Sequence, residues 1–176
     1  RIGGDNKEVT VLFTDIKGFT TFSETRAPQE VVTRLNEYLA AMVQVIDKFD
    51  GTVDKFIGDG IMVYWGAPLA QPDHAKLAIA CMLEMRKTMA QLCAKWEKEG
   101  VVPFVIRGGA LSGEAVAGNI GCHGKKMEYT LIGDTVNQAS RLEGTAKYYG
   151  VSFLIGESTY LLTRDSYRFR ELDKIR

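Results

Sequence analysis

Residues 52–65 read Thr-Val-Asp-Lys-Phe-Ile-Gly-Asp-Gly-Ile-Met-Val-Tyr-Trp. Two short runs rich in β-branched and aromatic residues, Thr52–Ile57 and Ile61–Trp65, flank Gly58-Asp59-Gly60. Strand-forming runs around a tight Gly/Asp turn predict a β-hairpin. Upstream of it, Val31, Leu35, Tyr38, Met42, Val45 and Phe49 recur at steps of three and four. That spacing is one face of an amphipathic helix. Pro28 suits its first turn and Asp50-Gly51 its stop. Before the helix, Glu8–Thr14 is short and β-rich, and it ends at Asp15, with Gly18 beyond. It predicts a buried strand.

Downstream of the hairpin, Ala75, Ala78, Met82, Met85, Met89, Leu92 and Trp96 repeat at helical spacing between His74 and about Lys98. Phe104–Ser112 and Glu114–Asn119 predict two strands around Ser112-Gly113, followed by the polar segment Gly121–Lys126 and a strand over Met127–Ile132. A third helix begins at Gly133-Asp134, with Asp134 a candidate N-cap. Val151–Ile155 and Tyr167–Leu172 read as late strands with a short helix between them. The order β-α-β-β-α-β, followed by further α/β elements, predicts an α+β, ferredoxin-like fold. Such a fold has an antiparallel-containing sheet with the core's helices on one face.

Composition narrows the function classes. The chain has 176 residues, one domain by size. Lys plus Arg and Asp plus Glu each number 22, so no net field recruits nucleic acid or an anionic membrane. Any anion must be bound by a local site. Three cysteines, Cys81, Cys93 and Cys122, show no metal-ligand spacing and no even disulfide count. A reducing cytoplasm is the expected compartment, and Cys81 and Cys93 are expected in the core. No apolar stretch reaches the length of a membrane span. Residues 1–7 read as a linker remnant, and residues 8–176 as a catalytic domain that stops inside its last strand. What precedes Arg1 in the full-length protein is expected to carry the regulatory input.

Asp15 at a strand end and Asp59 in the hairpin turn are the candidate chemical pair. In a split βαβ sheet the first strand lies beside that hairpin, so the two carboxylates can meet at one edge. Hard divalent cations bind through one or two carboxylates plus substrate phosphates. Two such ions, about 3.5–4 Å apart, can clamp both oxygens of a phosphoryl displacement. Gly58 and Gly60 are read as leaving room for a triphosphate. Taken singly, each aspartate is equally an ordinary strand-end or turn residue.

Three longer stretches carry a family resemblance. Val11–Thr20, Gly51–Gly60 and Tyr129–Glu143 (Tyr-Thr-Leu-Ile-Gly-Asp-Thr-Val-Asn-Gln-Ala-Ser-Arg-Leu-Glu) resemble the three signatures of class III adenylyl and guanylyl cyclases. Gly108–Gly113 resembles the strand-turn between them. The resemblance runs in order over nearly the whole chain. It implies that Asp15, Asp59 and the backbone carbonyl of Ile16 hold two Mg²⁺ or Mn²⁺ ions. It implies that Lys55 and Thr130 read the purine. Asn137 and Arg141 would orient the ribose and stabilise the phosphoryl charge. The family works as a head-to-tail dimer with shared sites, which implies a homodimer here. The implied activity is adenylate cyclase, converting ATP to 3′,5′-cyclic AMP and pyrophosphate in signal transduction. The alternatives are a guanylate cyclase, a diguanylate cyclase on a similar palm, or a catalytically silent nucleotide-binding and dimerisation domain.

Residue chemistry gives partial support of its own. Asn137 and Arg141 are four apart and share a helix face. Val136, Ala139, Leu142 and Ala146 mark another, apolar face. Lys55 is a donor matched to the N1 acceptor of adenine, whereas guanine presents N1–H. The resemblance to guanylyl cyclases would place glutamate at position 55. Lys55 with Thr130 resembles the bacterial and soluble adenylyl subtype, some members of which respond to bicarbonate. A phosphate-binding lysine of the family is expected just past Arg176. His74 and His123 are expected to be surface residues, and Gly121–Lys126 to be part of a dimer-forming arm.

Overall fold

The computed structural model describes residues 3–174. Arg1 and Ile2 of the expected linker, and Ile175 and Arg176 of the expected last strand, lie outside the described residues. The order is β1 (Asp5–Lys17), α1 (Phe19–Thr25), α2 (Pro28–Lys48), β2 (Thr52–Ile57), β3 (Gly60–Trp65), α3 (His74–Lys98), β4 (Val105–Cys122), β5 (Lys126–Ile132), α4 (Asp134–Tyr149), β6 (Phe153–Ile155) and α5 (Glu157–Thr163). The sheet order is β2-β3-β1-β4-β5, with β6 parallel to β4. The βαββαβ core is present.

β1 is the centre of the molecule. It pairs antiparallel with β3 from Thr10↔Trp65 to Thr14↔Ile61. It pairs with β4 from Asp5↔Ala117 to Lys17↔Val105. Thus Asp5, Asn6 and Lys7, read as linker, belong to the strand. Alternation along β1 divides the core. Leu12 and Ile16 join Ile61, Val63 and Trp65 against Tyr38, Met42 and Ile46 of α2 and Met82, Met85 and Trp96 of α3. Val9 and Val11 join Met62, Tyr64, Ala115, Ala117 and Leu131 against Ala139 of α4. The core helices cover one face, as expected, and the later helix α4 lies on the other. Among the described residues, none of the five helices has a side-chain N-cap hydrogen bond. A cap contributes roughly 1 kcal/mol, whereas one fully buried Met, Leu or Ile contributes about 1.5–3 kcal/mol. Packing, not capping, holds these helices.

Several expectations need correction. Asp134 is not the cap of α4: Gly133 occupies that position, and Asp134 sits in the first turn, accepting a hydrogen bond from Gln138. There a negative charge still favours the helix N-terminus. Ser112-Gly113 does not break β4, which runs on as one strand because β1 pairs it without interruption. A short helix, α1, fills the stretch between Gly18 and Pro28. Its Phe19 and Phe22 pack against Phe104. Tyr167–Leu172 forms no strand. Its rings pack instead, Phe169 lying 5.3 Å from Tyr160 between centroids.

His74 is buried, not a surface residue. Helix α3 starts directly over the sheet, and His74 Nδ1 lies 2.7 Å from Thr10 Oγ1. That hydroxyl also bonds Ser112 Oγ at 2.7 Å, which bonds Thr159 Oγ1 at 2.9 Å. Cys81 and Cys93 are buried as expected, and His123 is exposed in the turn between β4 and β5.

Candidate active site

The geometry of the carboxylates begins with the register of β1 on β4. Asp15 stands directly opposite Arg107, so both side chains emerge on one face. The Arg107 guanidinium meets the Asp15 carboxylate at 3.3 Å (Nε to Oδ1) and 3.5 Å (Nη2 to Oδ2). Asp59 reaches across from the β2–β3 turn, where its Oδ2 accepts the Ile16 backbone N–H at 2.7 Å. One hydrogen bond thereby fastens the turn to the strand that carries Asp15, and the two aspartates come together. Gly58 adopts a left-handed φ of 59°, with open space where a side chain would stand. Gly60 differs from the expectation. A Cβ there would lie 3.0 Å from the Ile57 carbonyl oxygen and 3.1 Å from that of Thr14, so the close approach is between strands.

A third carboxylate joins from α4. Glu143 lies beside Asp15, and its pKa is raised to about 7, by burial first and then by the neighbouring Asp15 carboxyl group. Arg107 pulls it the other way. Helix α4 can bring Glu143 this close because β4 carries Gly109 beneath it. A Cβ at 109 would lie 2.3 Å from the Glu143 nitrogen. Below the site, the buried Tyr38 phenol is held above its ordinary pKa by burial, with Asp59 and Asp15 adding to the shift.

These residues fit a divalent cation. The Arg107 guanidinium pairs with Asp15, and Glu143, raised first by burial, feels the negative charge of Asp15 and Asp59 as well. Among the described residues no complete cage of three or more His, Cys, Asp or Glu ligands is formed. An oxygen-only pair that leaves positions for phosphate suits Mg²⁺ or Mn²⁺.

Asn137 and Arg141 are exposed on α4. Helix geometry keeps them from the carboxylates of their own chain. At 3.6 residues per turn, Arg141 and Glu143 point about 200° apart. Since Glu143 faces Asp15, Arg141 faces away, beside an open groove with Thr145, Tyr148, Tyr149 and Lys174.

The purine candidates do meet within the chain. Lys55 and Thr130 sit on β2 and β5, the two ends of the strand order. Asp54 joins them: the Thr130 hydroxyl donates to Asp54 Oδ2, and Lys55 Nζ lies 3.5 Å from Asp54 Oδ1. A bulge between Val53 and Lys55 makes this possible. Val53 pairs with Val63 and packs in the α2/α3 core, while Lys55 pairs with Met62 on the opposite face. The extra residue, Asp54, is the redirected one.

Asp54, Arg107 and Glu143 were not singled out by the sequence reading. Each left a faint signal. Aspartate is depleted in strands, and Asp54 interrupts a β-rich run. Arg107 is the only charge in Phe104–Ser112. Glu143 ends the third signature without any role assigned to it.

The fold and motifs agree with known proteins. The family model described as the adenylate and guanylate cyclase catalytic domain matches residues 4–176. Adenylate cyclase 1 of Rhizobium meliloti is 40% identical over 166 residues, 94% of this chain. The chain spans only 25% of the length of that relative. The crystal structure of the adenylyl cyclase CyaB from P. aeruginosa superposes with a TM-score of 0.87 at 38% identity, covering 94% of this chain and 84% of that one. The guanylyl cyclase Cya2 superposes with a TM-score of 0.84 at 37% identity, covering 92% and 80%. A match over almost every residue, with the carboxylates, the α4 pair and the Lys55/Thr130 cluster each at its motif, leads to one conclusion: this chain belongs to the adenylate and guanylate cyclase catalytic domain family.

Proposed function

We propose that this domain is an adenylate cyclase that converts ATP to 3′,5′-cyclic AMP and pyrophosphate in sites shared between two copies of the chain. The observation that carries the shared site is the orientation of α4. One helix turns Glu143 toward Asp15 and Arg141 away from it, so the carboxylates of one chain need the arginine of another. Apolar side chains left exposed on β2 and the β4–β5 ribbon, among them Phe56, Ile57, Ile120 and Met127, support a covering second copy. Tyr148, 85% exposed on α4, does the same.

In the reaction the ribose 3′ oxygen bonds to the α-phosphorus, the bond from that phosphorus to the bridging oxygen of the β-phosphate breaks, and the 3′ proton is lost. Asp15, Asp59 and the Ile16 carbonyl would hold two Mg²⁺ or Mn²⁺ ions, which supply charge neutralisation and acidify the hydroxyl. Arg141 gives planar, charge-assisted hydrogen bonds to the phosphoryl oxygens as charge builds there. Asn137, one turn earlier on the same face, orients the ribose and so holds the attacking oxygen near its target. Arg107 pairs with the Asp15 carboxylate and offsets its charge. Lys55 donates to adenine N1.

Solved relatives include both adenylyl and guanylyl cyclases, so the choice of purine rests on Lys55 and Thr130. Incubation with Mn²⁺ and ATP or GTP, followed by chromatography of the cyclic product, tests the reading. Cyclic AMP is the expected main product. Cyclic GMP as the main product would overturn the purine assignment, and no cyclic product from a dimeric, folded chain extended past Arg176 would favour a silent domain.

A further inference from the structure

A threonine hydroxyl both donates and accepts. Alone, it cannot tell the 6-amino group of adenine, a donor, from the 6-oxo group of guanine, an acceptor. In this chain the ambiguity is removed from behind. Thr130 gives its proton to Asp54 Oδ2, so the lone pairs of its oxygen are what a ligand meets. The other Asp54 oxygen faces the Lys55 ammonium at 3.5 Å. The Asp54 side chain is 1% exposed, so water does not compete for either contact. A carboxylate taken out of water at such a position needs both partners. The Lys55 side chain stays 41% exposed, its ammonium free to turn toward a base, with the Glu128 carboxylate 3.9 Å away. The bulge that inserts Asp54 into β2 exists at this point and nowhere else along the β2–β3 pairing.

We propose that Asp54 determines the purine preference of the domain, as a positioning residue that fixes Thr130 as an acceptor and Lys55 as a donor. That pair complements the N6–H and N1 of adenine. Against guanine it sets lone pair to lone pair at O6 and N–H against N–H at N1, so rejection comes from two repulsive contacts. The inference rests on the adenylyl reading above and assigns the discrimination to a residue that touches no substrate.

Asp54→Asn tests it. The side-chain amide can donate to Thr130 Oγ1, which frees the threonine proton to point at the ligand, and it removes the negative charge behind Lys55. Steady-state kcat/KM is measured for ATP and for GTP on the same folded preparations. The expected result is a fall for ATP, a rise for GTP, and a contraction of their ratio by roughly tenfold or more, the worth of one hydrogen bond gained or lost. A purely structural role would lower both substrates together. An unchanged ratio overturns the inference. Should Asp54→Asn not fold, Thr130→Val removes the same hydroxyl at nearly constant shape. It is expected to contract the ratio by less, since the acceptor for N6–H is lost and no donor to O6 replaces it, and an unchanged ratio there also overturns the inference. A wild-type chain that prefers GTP would sink the adenylyl reading itself, a result read before any variant is made.

Discussion

At the scale of single residues, His74 ties stability to pH. Its ring is buried at the start of α3, at the head of the hydroxyl chain Thr10, Ser112, Thr159. Burial holds its pKa below the usual histidine range, against the opposing pull of Glu8 on β1 and of the adjacent Asp73. The folded value is therefore lower than the unfolded one, near 6.5. Such a group contributes stability above the unfolded pKa and loses it as pH falls through the folded pKa. The melting temperature should drop more steeply below about pH 6.5 in the wild type than in His74→Asn, where the amide oxygen can replace Nδ1 as a partner for Thr10. Parallel pH profiles would remove His74 as the cause. In the carboxylate cluster, Arg107 and Glu143 show how one site divides its labour. The arginine offsets charge beside Asp15, while the glutamate is raised toward neutrality by its burial and by Asp15.

At the scale of elements, the decisive contact is α4 on β4. Gly109 permits it: an added Cβ would meet the Glu143 nitrogen at 2.3 Å and the Leu142 carbonyl carbon at 2.6 Å, both backbone atoms that cannot swing aside. Gly109→Ala should cost about 1–3 kcal/mol in chemical denaturation, the range for overpacking. It should also lower turnover, because the helix it displaces carries both Glu143 and Arg141. Gly113→Ala is the control. Its Cβ meets chiefly the Thr135 side chain, which can yield by giving up its hydrogen bond to the Glu114 carbonyl, so the loss should be smaller, about 1 kcal/mol. Equal losses would mean that α4 tolerates displacement.

The same elements show what was legible in sequence. The amphipathic periods of α2 and α3 were plain, because each buries one clean stripe, and the 52–65 hairpin was plain from its turn chemistry. Asp15 with Asp59, and Lys55 with Thr130, were found by motif and do come together. Features set by tertiary pairing were not legible. Continuous pairing with β1 overrides the Ser112-Gly113 turn signal in β4. The Tyr167–Leu172 run has strand composition, yet its rings pack against Tyr160 and each other and no strand forms. The β2 bulge, which redirects Asp54, depends on a register that only β3 fixes. His74 opens its helix as expected, but it reads as a surface residue in sequence because its partner Thr10 lies 64 positions away.

At the scale of the whole molecule, the proposed shared site calls for a second copy of the chain. The carboxylates and the Lys55/Thr130 pair assemble within one chain, while α4 turns Asn137 and Arg141 outward. Two copies related by a two-fold axis would repeat one interface and create two equivalent sites. Complementation tests this most directly. Asp59→Asn retains an oxygen for the Ile16 N–H and should fold, yet lose nearly all cyclase activity. Arg141→Ala, an exposed substitution, should do likewise. An equal mixture after subunit exchange places one intact site in each heterodimer, and cyclic AMP formation should recover to roughly a quarter of the wild-type value. Verified heterodimers that stay as inactive as either parent would contradict the account.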